Sequence, residues 1–208
     1  MIRPDGRRFV RVADLREPPE GEVYCAVSEG DVESLALCER LGFVVNRHES
    51  RYLVPTDPVP AAALPEGVRL VTADEVDLER LRLLDDALRQ DVPGTDGWRW
   101  DEAGFRGEFD DAYDPSTYLV AVAEDGAYVG LVRVWHNPAG PRLGMVGVLP
   151  EHRRQGLARA LLAQVLAVLR ERGIAEVATE VDDENVASRA LLTPGARRVG
   201  GSIELVRR

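Results

Sequence analysis

Arg153, Arg154, Gln155 and Gly156 stand between an apolar, Gly-punctuated run that ends at Val148 and an apolar-striped run that begins at Leu157. Donor-rich side chains next to a glycine, just ahead of a helix, are suited to anion binding. The glycine lets a ligand approach bare backbone N–H groups, which are unsatisfied in a first helical turn and lie at the positive end of the helix dipole. Phosphate or pyrophosphate is the anion such a terminus holds. The guanidinium groups of Arg153 and Arg154 add charge-assisted donors at the same place.

Regular elements must hold that loop. Leu143–Val148 reads as a strand, Pro150 as a turn, and the helix runs from about Gly156 to Arg172, with Gly173 as its C-cap. Leu157, Leu161, Val165 and Leu169 form one helical stripe, which Leu162 and Leu166 widen. Upstream, Val68–Val71 reads as a strand, residues 75–90 as a helix, residues 91–97 as a loop and residues 101–110 as a second helix. Tyr118–Ala123 and Tyr128–Trp135 form a hairpin around Asp125-Gly126. Downstream come a strand over Glu176–Val181, a short helix over Asn185–Leu192 and a final hairpin over 196–206 around Gly200-Gly201.

The Gly loop is similar to the acetyl-CoA signature of the GNAT superfamily of N-acetyltransferases, Arg/Gln-x-x-Gly-x-Gly/Ala. Arg153, Gly156 and Ala158 meet it here, behind a Val-x-Pro-Glu-x-Arg lead-in. The order of elements over residues 66–208 matches the family as well. The resemblance implies a mixed α/β fold, the acyl-CoA N-acyltransferase fold, with a central twisted, mostly antiparallel sheet and helices on both faces. It implies acetyl-CoA as co-substrate, its pantetheine arm pairing with Val146, Gly147 and Val148 as an added strand would. Its pyrophosphate would rest on the backbone of Arg154, Gln155, Gly156, Leu157 and Ala158, with Arg153 beside it. Asn185 matches the family Asn that contacts the CoA arm; helix N-capping is its other role.

The family reaction is direct attack of a neutral amine on the thioester, so a base or a water chain must take a proton from the amine. Many relatives carry a Glu on the strand before the loop, but Leu143–Val148 has no carboxylate. Many carry a Tyr as acid on the last helix, seven positions after the Asn; here that position is Leu192. The nearest substitutes are Glu180 and Asp182, on one face of the next strand, with Asp183 on the other. The alternative for these carboxylates is a solvated loop capping the following helix. Trp98 and Trp100, between the first two helices, and Trp135, at a strand end, are candidates for a substrate wall or for core packing. His136 is a candidate proton relay or a surface residue, and Tyr113 and Tyr118 are candidate thiolate donors or packing residues.

The N-terminal segment repeats the pattern of the C-terminal end. Val32/Val186, Ser34/Ser188, Ala36/Ala190 and Leu37/Leu191 share one offset, which slips by one residue at Gly42 and Gly195. Strand-like runs flank each copy (Val23–Val27 and Arg51–Val54; Val177–Val181 and Ile203–Val206). Residues 1–55 therefore read as a partial GNAT-like strand-helix-hairpin unit, residues 56–65 as a Pro/Ala-rich linker and residues 66–208 as a complete domain. Coincidence between two amphipathic units is the alternative. A partial unit exposes a sheet edge and must dock, either on its own chain or on a second copy in a homodimer.

Composition sets the outer bounds. The chain has 208 residues, 45% hydrophobic and 30% charged, with a net charge of −10, which argues against sequence-independent nucleic-acid binding. No apolar run approaches the roughly 20 residues of a membrane span, and no signal peptide is evident. A cytoplasmic protein is the expectation. Cys25 and Cys38 lack metal-ligand spacing, so no metal is expected. All 26 cationic residues are Arg. The reading is an N-acyltransferase moving an acetyl group from acetyl-CoA to a primary amine of a small molecule or peptide N-terminus. The rival is a catalytically inactive acyl-CoA-binding module.

Overall fold

The computed structural model describes residues 1–109, 113–192 and 194–208. In chain order the elements are β1 (Val23–Ser28), α1 (Val32–Arg40), β2 (Val44–Pro55), β3 (Val68–Thr72), α2 (Leu78–Arg89), α3 (Glu102–Gly107), β4 (Tyr118–Ala123), β5 (Tyr128–Asn137), β6 (Gly140–Val148), α4 (Leu157–Glu171), β7 (Glu176–Asp182), α5 (Val186–Leu191) and β8 (Arg197–Arg207). The fold is mixed α/β, with one eight-stranded sheet in the order β1-β8-β2-β7-β6-β5-β4-β3. Every adjacent pair is antiparallel except β6 and β7.

Helices cover both faces because the strands alternate. Leu119 and Ala121 of β4 pack with Leu157, Leu161, Val165, Leu166 and Leu169 of α4. Tyr118, Val120 and Val122 face the other way, onto Leu81, Leu84 and Leu88 of α2 and Phe105 of α3. Burying each such leucine contributes about 1.5–3 kcal/mol. α4 ends as its glycine predicts: Gly173 takes φ +74°, with Gly173 N–H donating to Arg170 and Ile174 N–H to Leu169.

The register of β5 against β6 shifts between Arg133/Val134, leaving Gly144 unpaired as a bulge. The Trp135 ring occupies the space a Gly144 side chain would need. Beyond the single register pair Arg142↔Ala178, β6 and β7 part. Thr179 Oγ1 donates to the Leu143 carbonyl at 3.1 Å, just beyond that pair.

The N-terminal unit docks on its own chain. β2 lies between β7 and β8, and β8 lies between β2 and β1. The first strand of each strand-helix-strand unit thus pairs with the last strand of the other. Phe9 bridges Tyr24 along the outer edge of β1. α1 closes a small core with Val23, Cys25, Val27, Cys38, Phe43 and Leu205. Burial pushes the Cys25 thiol up to about 12, and its sulfur lies 3.7 Å from that of Cys38.

Three sequence expectations change. The final hairpin around Gly200-Gly201 is instead one strand, β8, pairing Gly200 with Arg51 and Gly201 with Ser50. The reason is steric: a Cβ on Gly201 would lie 2.5 Å from the Glu49 carbonyl, so Gly201 admits a neighbouring backbone instead of turning the chain. β2 extends over twelve residues, well beyond Arg51–Val54. The helix expected over 101–110 spans Glu102–Gly107; its expected end, residue 110, lies outside the described residues.

Candidate active site

The Gly loop leaves β6 through a 3-10 turn at Pro150–His152. Arg154 (φ +64°) and Gly156 (φ +87°) both take left-handed backbone. For Arg154, whose Cβ crowds the following carbonyl in that conformation, this costs roughly 1–2 kcal/mol. Gly156 is the N-cap of α4 and supplies no side-chain cap. The backbone N–H groups of residues 154–158 donate to no described residue. Open space lies where a Gly156 side chain would be. These donors fit a pyrophosphate.

Arg153 is already engaged: its Nε donates to the Val148 carbonyl at 2.8 Å and its guanidinium pairs with Asp91. It therefore ties the loop to the strand end and to the segment after α2. Arg154 and Gln155 are exposed, and Leu157 is buried against the sheet. Gly147 packs under α2, where a Cβ would meet Leu88 at 2.9 Å.

A cleft of roughly 740 Å³, counting its mouth, opens where β6 and β7 splay. Gly144, Met145 and Val146 form one wall and Thr179–Asp182 the other, with Asn185, Ser188 and Leu192 of the α5 region at its rim. Val148 and the Gly loop follow directly from the first wall. Asn185 caps α5 by accepting from Ser188 N–H at 2.9 Å and also lines the cleft, so its two expected roles are compatible.

Glu180 and Asp182 line the cleft together, and both are held by arginines. Glu180 Oε2 accepts from Arg142 at 2.7 Å, and its other oxygen lies 3.7 Å from Arg51. Asp182 is buried; Oδ1 accepts from Glu184 N–H and Oδ2 from Arg47 at 3.2 Å. Asp183 faces away, accepting from Ser50 at 2.6 Å.

Two charged residues, one lining the cleft and one beside it in the adjoining chamber, escaped the sequence reading. Glu49, on β2, lies opposite Asp182 in the strand register and lines the same cavity. Arg47 joins Glu49 (2.7 Å), Asp182 and Glu204 (3.3 Å). Burial works against its charge, but the surrounding carboxylates outweigh that and hold its pKa above the usual value. Nothing local to residues 44–55 marks these positions, because their role depends on which strand lies beside β7.

A second, more polar chamber of roughly 760 Å³ adjoins the first, sharing Pro93 and Asp182. Asp5, Arg7, Asn46, Arg47, Asp96 and Glu184 stand on its walls.

The three indoles stand outside both cavities. Trp100 donates through Nε1 to Asp85 and through its backbone N–H to Asp86, which fixes the residues ahead of α3 onto α2. Trp98 lies edge-on to Trp100, beneath the Arg89 guanidinium. Trp135 lies over Gly144, flanked by Arg133 and Arg142. His136 contacts Thr117 at 2.8 Å and Asp114 at 3.5 Å, away from the cleft. Tyr113 and Tyr118 pack with Phe109, and burial pushes the Tyr113 phenol up to about 12. Among the described residues no group of three His, Cys, Asp or Glu side chains could hold a metal ion, and no helix is long and apolar enough to cross a membrane.

The model of the acetyltransferase (GNAT) family matches residues 81–193. Mycothiol acetyltransferase of Thermobispora bispora is 36% identical over 141 residues, covering 64% of this chain and 47% of that protein. The mycothiol acetyltransferase of Paenarthrobacter aurescens is 29% identical over 193 residues, covering 80% of this chain and 54% of its own length. The chain thus spans about half the length of the curated relatives it matches. Among solved structures, a GCN5-related N-acetyltransferase from Sphaerobacter thermophilus superposes with a TM-score of 0.72 at 24% identity, covering 89% of this chain and 59% of that one. A tandem GNAT protein from the clavulanic acid biosynthesis pathway does so with a TM-score of 0.62 at 20% identity, covering 89% and 63%.

Proposed function

The chain belongs to the GNAT family of acetyltransferases, and from that premise we propose that it transfers an acetyl group from acetyl-CoA to a primary amine of a small molecule. The observation that carries this reading is the uncapped N-terminus of α4, with left-handed Arg154 and Gly156, at the end of a cleft between splayed strands. The backbone of residues 154–158 would hold the pyrophosphate. Val146, Gly147 and Val148 would pair with the pantetheine arm, and Asn185 would contact it from α5. Bound acetyl-CoA supplies the thioester that the amine attacks. Arg153 keeps the loop against β6. Glu180 and Asp182 hold polar groups of the acceptor beside the thioester.

The adjoining polar chamber is where the body of the acceptor would sit. Its carboxylates and Asn46 suit a cationic, hydrogen-bonding amine better than an apolar one. The names of the curated relatives favour a small-molecule acceptor over a peptide N-terminus. We place the protein in the cytoplasm, and read residues 1–55 as a partial second copy of the fold's C-terminal half, residues 56–65 as linker and residues 66–208 as the whole domain. The reciprocal pairing of β1 with β8 and of β7 with β2 supports that division.

A second reading, an acyl-CoA-binding module without turnover, is favoured by Leu192 at the cleft rim and by the lack of a carboxylate on β6. Calorimetric titration with acetyl-CoA, paired with thiol release in the presence of an amine panel, separates the two. Gly156→Glu and Arg154→Glu should each abolish acetyl-CoA binding; unchanged affinity in both would overturn the cofactor site.

A further inference from the structure

We propose that Glu49, supplied to the cleft by strand β2 of the N-terminal unit, is the group that takes the proton from the acceptor amine. The inference rests on the acetyl-transfer reading and adds the base that β6 and β7 do not provide.

Three carboxylates line the cleft: Glu49, Glu180 and Asp182. Their partners distinguish them. Glu180 accepts from Arg142 on one oxygen at 2.7 Å, and its other oxygen faces the Arg51 guanidinium at 3.7 Å, beyond hydrogen-bond range. Both oxygens of Asp182 accept hydrogen bonds, and the side chain is only 5% exposed. Glu49 has one anchored oxygen, Oε1, which accepts from Arg47 at 2.7 Å. Its Oε2 accepts no hydrogen bond from a described residue, and the side chain is 29% exposed. It is thus a carboxylate held in place at one end and open to the cleft at the other, as a general base requires.

The position follows from topology. Glu49 and Asp182 are cross-strand partners, and Arg51 and Glu180 are the next pair but one along the same ladder. Residues two apart on β2 share a face, so Arg47, Glu49 and Arg51 form an alternating row opposite the carboxylates of β7. Arg47 also donates to the Pro93 carbonyl at 3.4 Å, at the boundary with the polar chamber. An amine leaving that chamber for the thioester passes this row.

The step balances as follows. The acceptor arrives as an ammonium ion, and one proton passes to Glu49, giving the carboxylic acid and a free nitrogen lone pair. The nitrogen bonds to the thioester carbonyl carbon and the carbon–sulfur bond breaks. The second N–H proton ends on the departing CoA thiolate, and Glu49 returns its proton to solvent.

The test uses the full chain and its Glu49→Gln, Glu49→Asp, Glu180→Gln and Asp182→Asn variants. Thiol release from acetyl-CoA is followed between pH 5.5 and 9 with glucosamine, spermidine or phenethylamine, and with water alone. Calorimetry measures acetyl-CoA affinity, and melting curves measure folding. The expected result is a fall of about 100-fold or more in Glu49→Gln with acetyl-CoA affinity and melting unchanged, and partial recovery in Glu49→Asp. A parental rate in Glu49→Gln overturns the assignment, as does a larger loss in Glu180→Gln or Asp182→Asn. So does a parent chain that binds acetyl-CoA but releases no thiol with any probe. Failure of the parent chain to bind acetyl-CoA marks a different failure, that of the cofactor reading, and removes this proposal with it.

Discussion

The α4 end of the cleft comes from one unbroken stretch of chain, residues 142–162. The opposite wall is assembled from β2, the 91–97 segment, β7 and α5. The first region makes a ligand site from backbone: two left-handed residues and a bare helix terminus, with side chains serving mainly as struts. The second makes its site from side chains, in a charge ladder whose members are far apart in sequence. A backbone site tolerates many side-chain changes but few changes of conformation. A charge ladder behaves in the opposite way.

The largest expected effect comes from removing the strand that builds the second wall. A chain reduced to residues 61–208 lacks β2, leaving β7 and β8 with unpaired edges and an exposed apolar face. It should aggregate or fail to give a cooperative unfolding transition. A monomeric, stable fragment by light scattering and calorimetry would show that the two walls are energetically separate.

A milder break is Arg47→Met. It takes the Arg47 guanidinium from the nearly buried Asp182 and leaves the nearly buried Glu204 with Arg3, Arg7 and Asn46. Breaking a buried pair from one side costs about 3–5 kcal/mol, so urea denaturation should show a loss of that order. Acetyl-CoA affinity of the folded protein should change little, since the α4 terminus is untouched.

The contrast in how the walls are built also sets what could be read in advance. The Gly loop, the α4 stripe, the Asp125-Gly126 hairpin and the Gly173 cap are local patterns, and each was legible in the sequence. Glu180, Asp182 and Asn185 were legible as cleft residues because the element order of the family places β7 beside β6. Glu49 and Arg47 were not, since nothing local to β2 says that it will enter between β7 and β8. Gly200-Gly201 misled for the same reason: two glycines in series signal a turn unless a neighbouring backbone is known to press on one of them, as Glu49 does on Gly201. Trp98 and Trp100 stood between substrate wall and core packing because Asp85 and Asp86, which anchor Trp100, lie on α2, away from the two indoles in sequence.

The smallest expected effect sharpens the comparison from the first wall. Gly147→Val places a side chain against Leu88, where even a Cβ would come within 2.9 Å. Overpacking of this kind costs about 1–3 kcal/mol, which a melting curve will show. Acetyl-CoA affinity should fall with it, because Gly147 lies on the strand that would pair with the pantetheine arm. Full affinity at reduced stability would place the arm elsewhere.

The interleaving of β7, β2, β8 and β1 has a mechanical consequence. Many clefts between two units open by a hinge, with each unit moving as a rigid body. Here each unit's first strand is hydrogen-bonded to the other's last, so any such hinge would have to tear a continuous ladder. The β7 wall of the cleft is therefore braced by both units at once, because β2 is bonded to β7 on one side and to β8 on the other.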